Sequence, residues 1–511
     1  MIWLVLLIGT TFAATNTSCS EFRSCFDCVG RSQCHWCNGT CQASLNDTAA
    51  QQDTSCVTMC PLWTPQLAIA SALAFVALIA ASAGGIGGGS LCIVIFFLVF
   101  GASVHGVIPL SSSAVFGASC GSFVYLTRRR HPVADRPLID YNIALVLQPM
   151  TLMGSLFGVL INVTFPSFIV TICLVLVLGF SAIQSLRKGC QMRKKHKEAE
   201  AKKVAPVMLS KVAQQGLQLV SSPALPIPNS KSEPSPVSEE GVDDFESFES
   251  VSVRYEEARK RWKKVQTFEK NAALDKILWK ESRFPIWKFL AMAFVWGVTV
   301  MFVFLRGGVG KSVVGIECGS WQYWLLLGAN AVFLLVFTSI LGLIIFNEAR
   351  VKLSLKYHYL EDDFVWTFRR LVLLGLFSLI VGVLAGFVGV AGSILQGPLL
   401  LSMGVLPLTV QATTSFLILF TTSITALQYL TFGLLDWRFG LWFFLLGVVA
   451  GFIGQNVLNV VMVRLKRPYI LVFFLALLTL LTLTAMLSLS IVSITSGQAR
   501  TSFGSPCAPT G

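Results

Sequence analysis

Two glycine-rich breaks bring together the residue types in this chain that can do chemistry. The first reads Gly84-Gly85-Ile86-Gly87-Gly88-Gly89-Ser90, and the second Gly386-Phe387-Val388-Gly389-Val390-Ala391-Gly392-Ser393. Each interrupts apolar sequence and is followed by a short apolar run, a proline (Pro109, Pro407) and a cluster of small hydroxyl residues. Free N–H groups and the positive dipole end of a half-helix bind an oxyanion without needing a full cation. Glycine lets the backbone approach closely, and hydroxyls donate further hydrogen bonds. The candidate substrate-binding residues of the first half are Gly87, Gly88, Gly89 and Ser90 with Ser111, Ser112 and Ser113. In the second half they are Gly392 and Ser393 with Thr413, Thr414 and Ser415, and Gln148 and Gln455 add candidate midplane amides. Close helix packing competes as an explanation of small residues. It weighs more for any single Ser or Thr than for a repeated glycine run.

Other chemistry is poorly represented. Asp140 and Asp436 are candidate carriers of a coupling proton, as intramembrane acids often are, but their places near span ends fit caps better. His105 reads as a core residue, and His131, among arginines and before Pro132, as part of a folded cytosolic turn. No His-Glu-x-x-His, phosphate loop or nucleophile elbow is present. Gly307-Gly308-Val309-Gly310-Lys311-Ser312 lacks the first-glycine spacing of a phosphate loop and reads as a turn. An enzyme is not expected, nor a cofactor or metal.

The candidate residues need helices that break inside a membrane. Hydrophobic residues make up 54% of the 511 and charged residues 13%, against roughly 25% charged in soluble chains. Apolar windows of the ~20 residues a span requires recur at 67–83, 168–186, 324–346 and 470–489. Lipid tolerates unwound backbone only where protein or a water-filled cavity covers it. Paired breaks at matching places in two halves point to a transporter binding site. The expected fold is an all-α polytopic membrane protein with two inverted repeats of about five spans, at 66–186 and 371–495. Connecting spans fill 286–346. In the first half the apolar stretches are 66–83, 90–108, 110–127, 141–161 and 165–186, and in the second the segment at 393–406 is too short to span and reads as re-entrant. The net charge of +13 gathers beside spans, at Arg128-Arg129-Arg130, Arg187-Lys188 and Arg464 to Arg467. The positive-inside rule puts these clusters in the cytosol. No soluble basic domain with interleaved aromatics is present, so nucleic acid is not an expected partner.

The amino-terminal part reads differently. Residues 1–14 suit a cleaved signal peptide. Eight of the 14 cysteines then crowd into 15–62: Cys19, Cys25, Cys28, Cys34, Cys37, Cys41, Cys56 and Cys60. Together with glycosylation sequons at Asn16, Asn38 and Asn46, they imply a disulfide framework in the lumen or outside the cell. A zinc or redox site at Cys34, His35 and Cys37 is the weaker alternative. The spacing, with Trp36 between the fourth and fifth cysteines, resembles a plexin-semaphorin-integrin module. An outer module and inner basic clusters agree on orientation. Residues 187–283 read as a cytosolic insert, Ser/Pro-rich at 221–238 and acidic at 239–249, hence largely disordered. A helix-forming stretch follows at 255–280, and 496–511 form a short tail.

With these parts laid out, the chain resembles the sulfite exporter TauE/SafE family, in particular its eukaryotic, plant-type branch. The resemblance is carried by Gly85-Ile86-Gly87-Gly88-Gly89, Arg129-Arg130-His131-Pro132, Pro137 to Tyr141, Ala144 to Met150, Gly158, and Asn162 to Pro166. Gly397-Pro398-Leu399, Gly404-Val405, Gln411-Ala412-Thr413 and Gly454-Gln455 carry it in the second half. It covers residues 66–495 apart from the insert. The second break is less glycine-rich than the family pattern, and the cysteine module lies outside that pattern. The resemblance implies a secondary transporter of small anions such as sulfite, sulfonates or related organosulfur anions, working by alternating access with a proton or other ion as candidate coupling partner. It would sit in the plasma membrane or an endomembrane. A receptor or adhesion protein acting through the cysteine-rich module, or an anion channel, are the alternatives; an anchor needs neither twin breaks nor hydroxyl clusters.

Overall fold

The computed structural model describes residues 65–194 and 272–495 apart from short gaps, together with Cys507 and three short strands near the amino terminus. Those strands, β1 (Cys34–Cys37), β2 (Thr40–Ala43) and β3 (Cys56–Val57), form an antiparallel sheet in the order β2-β1-β3. Cys37 stands opposite Thr40 on one side and Cys56 on the other. The signal sequence, the cysteine pairing of the module, the three sequons and most of the 187–283 insert lie outside the described residues.

The other regular elements among the described residues are helices. In chain order the helices are α1 (Pro65–Gly84), α2 (Gly89–Phe100), α3 (Val104–Leu126), α4 (Tyr141–Thr164) and α5 (Phe168–Gln191). After the insert come α6 (Ala272–Ser282), α7 (Ile286–Arg306) and α8 (Trp321–Ser354). The series closes with α9 (Phe368–Val388), α10 (Ser393–Ser402), α11 (Pro407–Thr431), α12 (Trp437–Leu465) and α13 (Pro468–Thr495). Among the described residues nine helices, α1, α3, α4, α5, α7, α8, α9, α11 and α12, are long and apolar enough to cross a membrane. Their outward faces fit lipid: Leu290, Phe294, Leu325, Leu335 and Leu343 of α7 and α8 are all about half exposed.

The stretch expected to span at 90–108 needs correcting. Its helix, α2, has 12 residues, about 18 Å at the helical rise and well short of a ~30 Å hydrocarbon core. The next helix starts at Val104, so Pro109 lies inside α3 rather than at its start. The first half therefore has a short helix after its break just as the second does in α10, where Pro407 opens α11 at its first turn. Apolar composition cannot separate one long span from a short helix and the turn of another, because both are equally apolar.

Glycines hold the halves together. Gly117 and Gly121 of α3 rest on backbone of α12, Gly447 and Gly451 of α12 rest on backbone of α3, and Gly154 and Gly158 of α4 meet Gly382 and Gly386 of α9. A Cβ at Gly117 would lie 1.9 Å from Phe444 O, and one at Gly382 2.2 Å from Thr151 O. Such distances mean backbone rests on backbone, the small-x-x-x-small geometry by which membrane helices gain dispersion contacts where no hydrophobic effect drives them together. α12 also packs along α1, where a Cβ at Gly454 would stand 2.5 Å from Ile79 O. The first half thus contacts the second through crossed pairs, α3 with α12, α4 with α9 and α1 with α12.

Candidate anion-binding site

The first break owes its shape to three glycines. Gly85, Gly87 and Gly88 have φ of 74°, 74° and 79°, the left-handed region that side chains with a Cβ rarely enter. Space forbids a side chain as well: a Cβ at Gly85 would lie 2.7 Å from Gln411 Cγ, and one at Gly88 2.8 Å from Ala81 Cβ. The second break needs less. Gly389 caps α9 with φ 71°, whereas Gly392, at the start of α10, has φ −56°, open to any residue.

The two breaks meet at one small cavity of about 30 Å³, lined by Gly85 from the first and Ser393 from the second. Gln411 and Thr414 of α11, Ser181 of α5 and Thr479 of α13 complete its polar wall. Ser393 is 2% exposed and its hydroxyl has no partner. Ser181 donates to Ile394 O at 2.9 Å, and Thr414 Oγ1 donates to Val410 O at 2.9 Å and lies 3.3 Å from Gly85 O. Gln411 Nε2 donates to Gln455 Oε1 at 3.0 Å, and Gln455 Nε2 donates to Ser82 O at 2.7 Å. That relay fixes the end of α1 against α11 and α12.

The remaining candidates from the sequence have other surroundings. Ser111 donates to Gly89 O at 2.9 Å, Ser112 back to Ile108 O at 3.0 Å, and Ser113 to Gly440 O at 2.6 Å. All three hydroxyl protons of the first cluster are thus engaged by backbone, and none of the three lines the cavity. Gly89 and Ser90 open α2, and Ser415 is buried on α11. Gln148 lies across α4, its Nε2 3.4 Å from Thr421 Oγ1 and its Oε1 without a partner. Gln411, Ser181, Ser185 and Thr479 were not singled out as ligands. Ser181 and Ser185, four residues apart on one helix face, gave the available signal.

A larger cavity of about 770 Å³ lies where α6 meets the ends of α4, α7 and α8. Arg136, Lys280, Arg283, Lys288 and Lys352 line it against Asp140, Glu281 and Glu348, leaving a surplus of positive charge. Thr409 of α11 lines it too, and Thr413 Oγ1 accepts a bond from Asp140 N at 3.0 Å. The first turns of α11 therefore stand between the two cavities, with Thr409 and Thr413 toward one and Gln411 and Thr414 toward the other. Asp140 caps α4 by accepting from the Asn142 and Ile143 amides, and Asp436 accepts from Arg438 N at the start of α12.

The wall of this cavity is a folded loop. His131 N donates to Arg136 O, Leu138 N donates to Arg129 O, and Arg136 forms an ion pair with buried Asp363. His131 Nδ1 accepts from the Val133 and Ala134 amides at 3.3 and 3.1 Å. An acceptor at Nδ1 requires the neutral ring, and burial together with the Arg136 charge lowers its pKa to about 4.

The family profile described as Sulfite exporter TauE/SafE matches residues 70–217 and 373–508. Among curated proteins, the chain is 26% identical to Sulfite exporter TauE/SafE family protein 3 of Arabidopsis thaliana over 416 residues, covering 80% of this chain and 76% of that protein. It is 28% identical to family protein 1 of the same plant, covering 79% of each. Family protein 2 is 27% identical, with 83% of each chain covered. No solved structure matches the chain.

Proposed function

The chain belongs to the sulfite exporter TauE/SafE family and is a multi-pass integral membrane protein, and from that premise we propose that it is a secondary transporter of small sulfur-containing anions. Sulfite, sulfonates and related organosulfur anions are the substrate class. The observation that carries the reading is the meeting of both breaks at one small cavity, which the unpartnered Ser393 lines together with the first turns of α11. An anion there takes hydrogen bonds from Ser393 and from Gln411, with the positive end of α11 behind them. The basic cavity beside Thr409 collects anions from one side and is separated from the inner site by one helix end.

Two inverted repeats, 66–186 and 371–495, account for the crossed helix pairs and for a short helix after each break, and they place the site between halves that exchange access. The Cys318–Cys507 disulfide supports an outer, oxidising location for both the 307–320 loop and the tail, on the side assigned to the cysteine-rich module. That module, at 15–62, is a stapled domain carried by the transporter. A receptor role is the less favoured alternative; it predicts activity lost on deleting residues 19–60, whereas transport should survive.

The test is radiolabelled sulfite flux into proteoliposomes, with and without a proton gradient, competed by sulfonates and sulfate. Ser393→Ala and Gln411→Leu should each lower saturable flux about tenfold or more, the scale of a lost hydrogen bond to a charged ligand. Wild-type flux in both variants overturns the site. Absence of flux for every sulfur anion from folded protein overturns the substrate class.

A further inference from the structure

Arg306 ends α7 at 2% exposure, and none of its three guanidinium nitrogens has a hydrogen-bond partner. Its Cζ lies 5.0 Å from the ring centroid of Tyr323, in the first turn of α8. Tyr323 is itself fully buried, with its hydroxyl unpartnered. On the third side Gly308 packs against the end of α11, where an added Cβ would stand 2.3 Å from Thr431 O. One turn earlier on α11, Gln428 is fully buried, and neither its Oε1 nor its Nε2 has a partner. A guanidinium and a phenol in contact are thus left unsatisfied where α7 meets α8, and an amide of α11 is left unsatisfied one turn from the residue against which Gly308 packs.

Chance burial does not explain this set. Buried polar groups are nearly always hydrogen-bonded, and each exception calls for a physical cause. An arginine cannot relieve its burial by losing its proton, as a lysine or histidine can. Among the described residues no carboxylate forms an ion pair with Arg306. The face of Tyr323 offers attraction but no acceptor for five N–H groups. The loop that follows is closed on itself, with Ser312 Oγ accepting from the Val314 and Ile316 amides, and Cys318 is tied to Cys507. All three guanidinium nitrogens are buried.

We propose that Arg306 is the centre of a second anion site, in which a small anion accepts from the guanidinium and from the Tyr323 hydroxyl, and the Gln428 amide supplies a further donor. The bound anion is the missing counter-charge. None of the three residues lines the cavity between the glycine breaks, so the site stands whether or not that cavity carries sulfite. An oxyanion of the substrate class and an ambient halide share the chemistry this cluster recognises.

Thermal unfolding of the purified full-length protein, titrated with sodium chloride, sulfate or sulfite at ionic strength held constant with gluconate, tests the proposal. Wild-type protein should gain stability saturably with anion. Arg306→Met should lose that response and be at least as stable as wild type in gluconate alone, because an uncompensated charge has been removed. The part of the response that Arg306→Met removes and Ser393→Ala retains belongs to this site, which separates failure of this site from failure of the transport reading. A selective effect of sulfite and sulfate assigns the site to oxyanions, and an equal effect of chloride to a halide counter-ion. If Arg306→Met does not fold, Arg306→Lys should raise the half-saturating anion concentration about tenfold, as a lost charge-assisted bond would. An unchanged response in either variant, or a wild-type protein indifferent to anions, overturns the proposal.

Discussion

Replacing Gly158 by alanine tests whether the halves are joined by backbone contact. A Cβ at Gly158 would lie 2.2 Å from Val383 O and 2.8 Å from Phe387 N, with Gly386 Cα also within 2.9 Å. Ordinary contact begins at 3.4 Å, so α4 and α9 would have to part by 3.4 − 2.2 Å, about 1.2 Å. Backbone cannot rotate aside as a side chain does, which sets the cost near the upper end of overpacking, about 3 kcal/mol. Helix propensity opposes this by about 1 kcal/mol, since alanine is the better helix former. The net expectation is a loss of about 2 kcal/mol. Gly375→Ala on α9 is the matched control, because its nearest neighbours are Met150 atoms at 4.0 Å. There only the propensity gain remains, up to about 1 kcal/mol. Thermal unfolding in detergent, followed by the monodisperse fraction on size exclusion, reads both. The two variants should move in opposite directions. Equal behaviour, or a Gly158→Ala protein as stable as wild type, would refute the idea that these glycines set the helix separation.

Further expectations concern single contacts. His131 is held neutral by burial, with a pKa of about 4 against 6.5 unfolded, so the unfolded chain binds its proton first as pH falls. Its contribution to stability is full above pH 6.5, declines from there and is gone once the pH passes below about 4. His131→Asn, which keeps an acceptor for the Val133 and Ala134 amides, should flatten that part of a melting-temperature profile across this range. Cys318→Ser should lower stability by about 2–4 kcal/mol, and a reductant should destabilise wild type by more than it destabilises the variant. Asp363→Asn should cost about 1–3 kcal/mol by leaving the Arg136 guanidinium without its charged acceptor, measured by the same unfolding assay.

Composition and hydropathy decided the class of this protein. Charge could lie only in loops and toward span ends, and apolar windows could be satisfied only as helices, because lipid offers no partner for free backbone groups. The breaks were legible for the same reason: runs such as Gly84 to Ser90 make no sense in a helix unless the backbone turns, and φ is positive at three of those glycines. Membership in a family was legible in local motifs, which persist when overall identity falls. Which hydroxyls face the cavity was not. Ser111, Ser112 and Ser113 have the right types and spacing, yet backbone carbonyls of Gly89, Ile108 and Gly440 take their protons. Ser393 and Thr414 reach the cavity only because α10 and α11 fold back against the end of α1. A one-dimensional pattern gives a residue's helix face but not what lies opposite it. For the same reason the contacts of Gly117, Gly121, Gly154, Gly382, Gly447 and Gly451 with backbone of the facing helix appeared only with the crossed packing. Arg306 drew no notice in the sequence, and only the packing of the end of α7 against α8 shows it buried without a partner. Sequence set the solvent and the places where helices break; tertiary contact, which depends on residues hundreds of positions apart, chose the groups that remain unsatisfied and so able to bind.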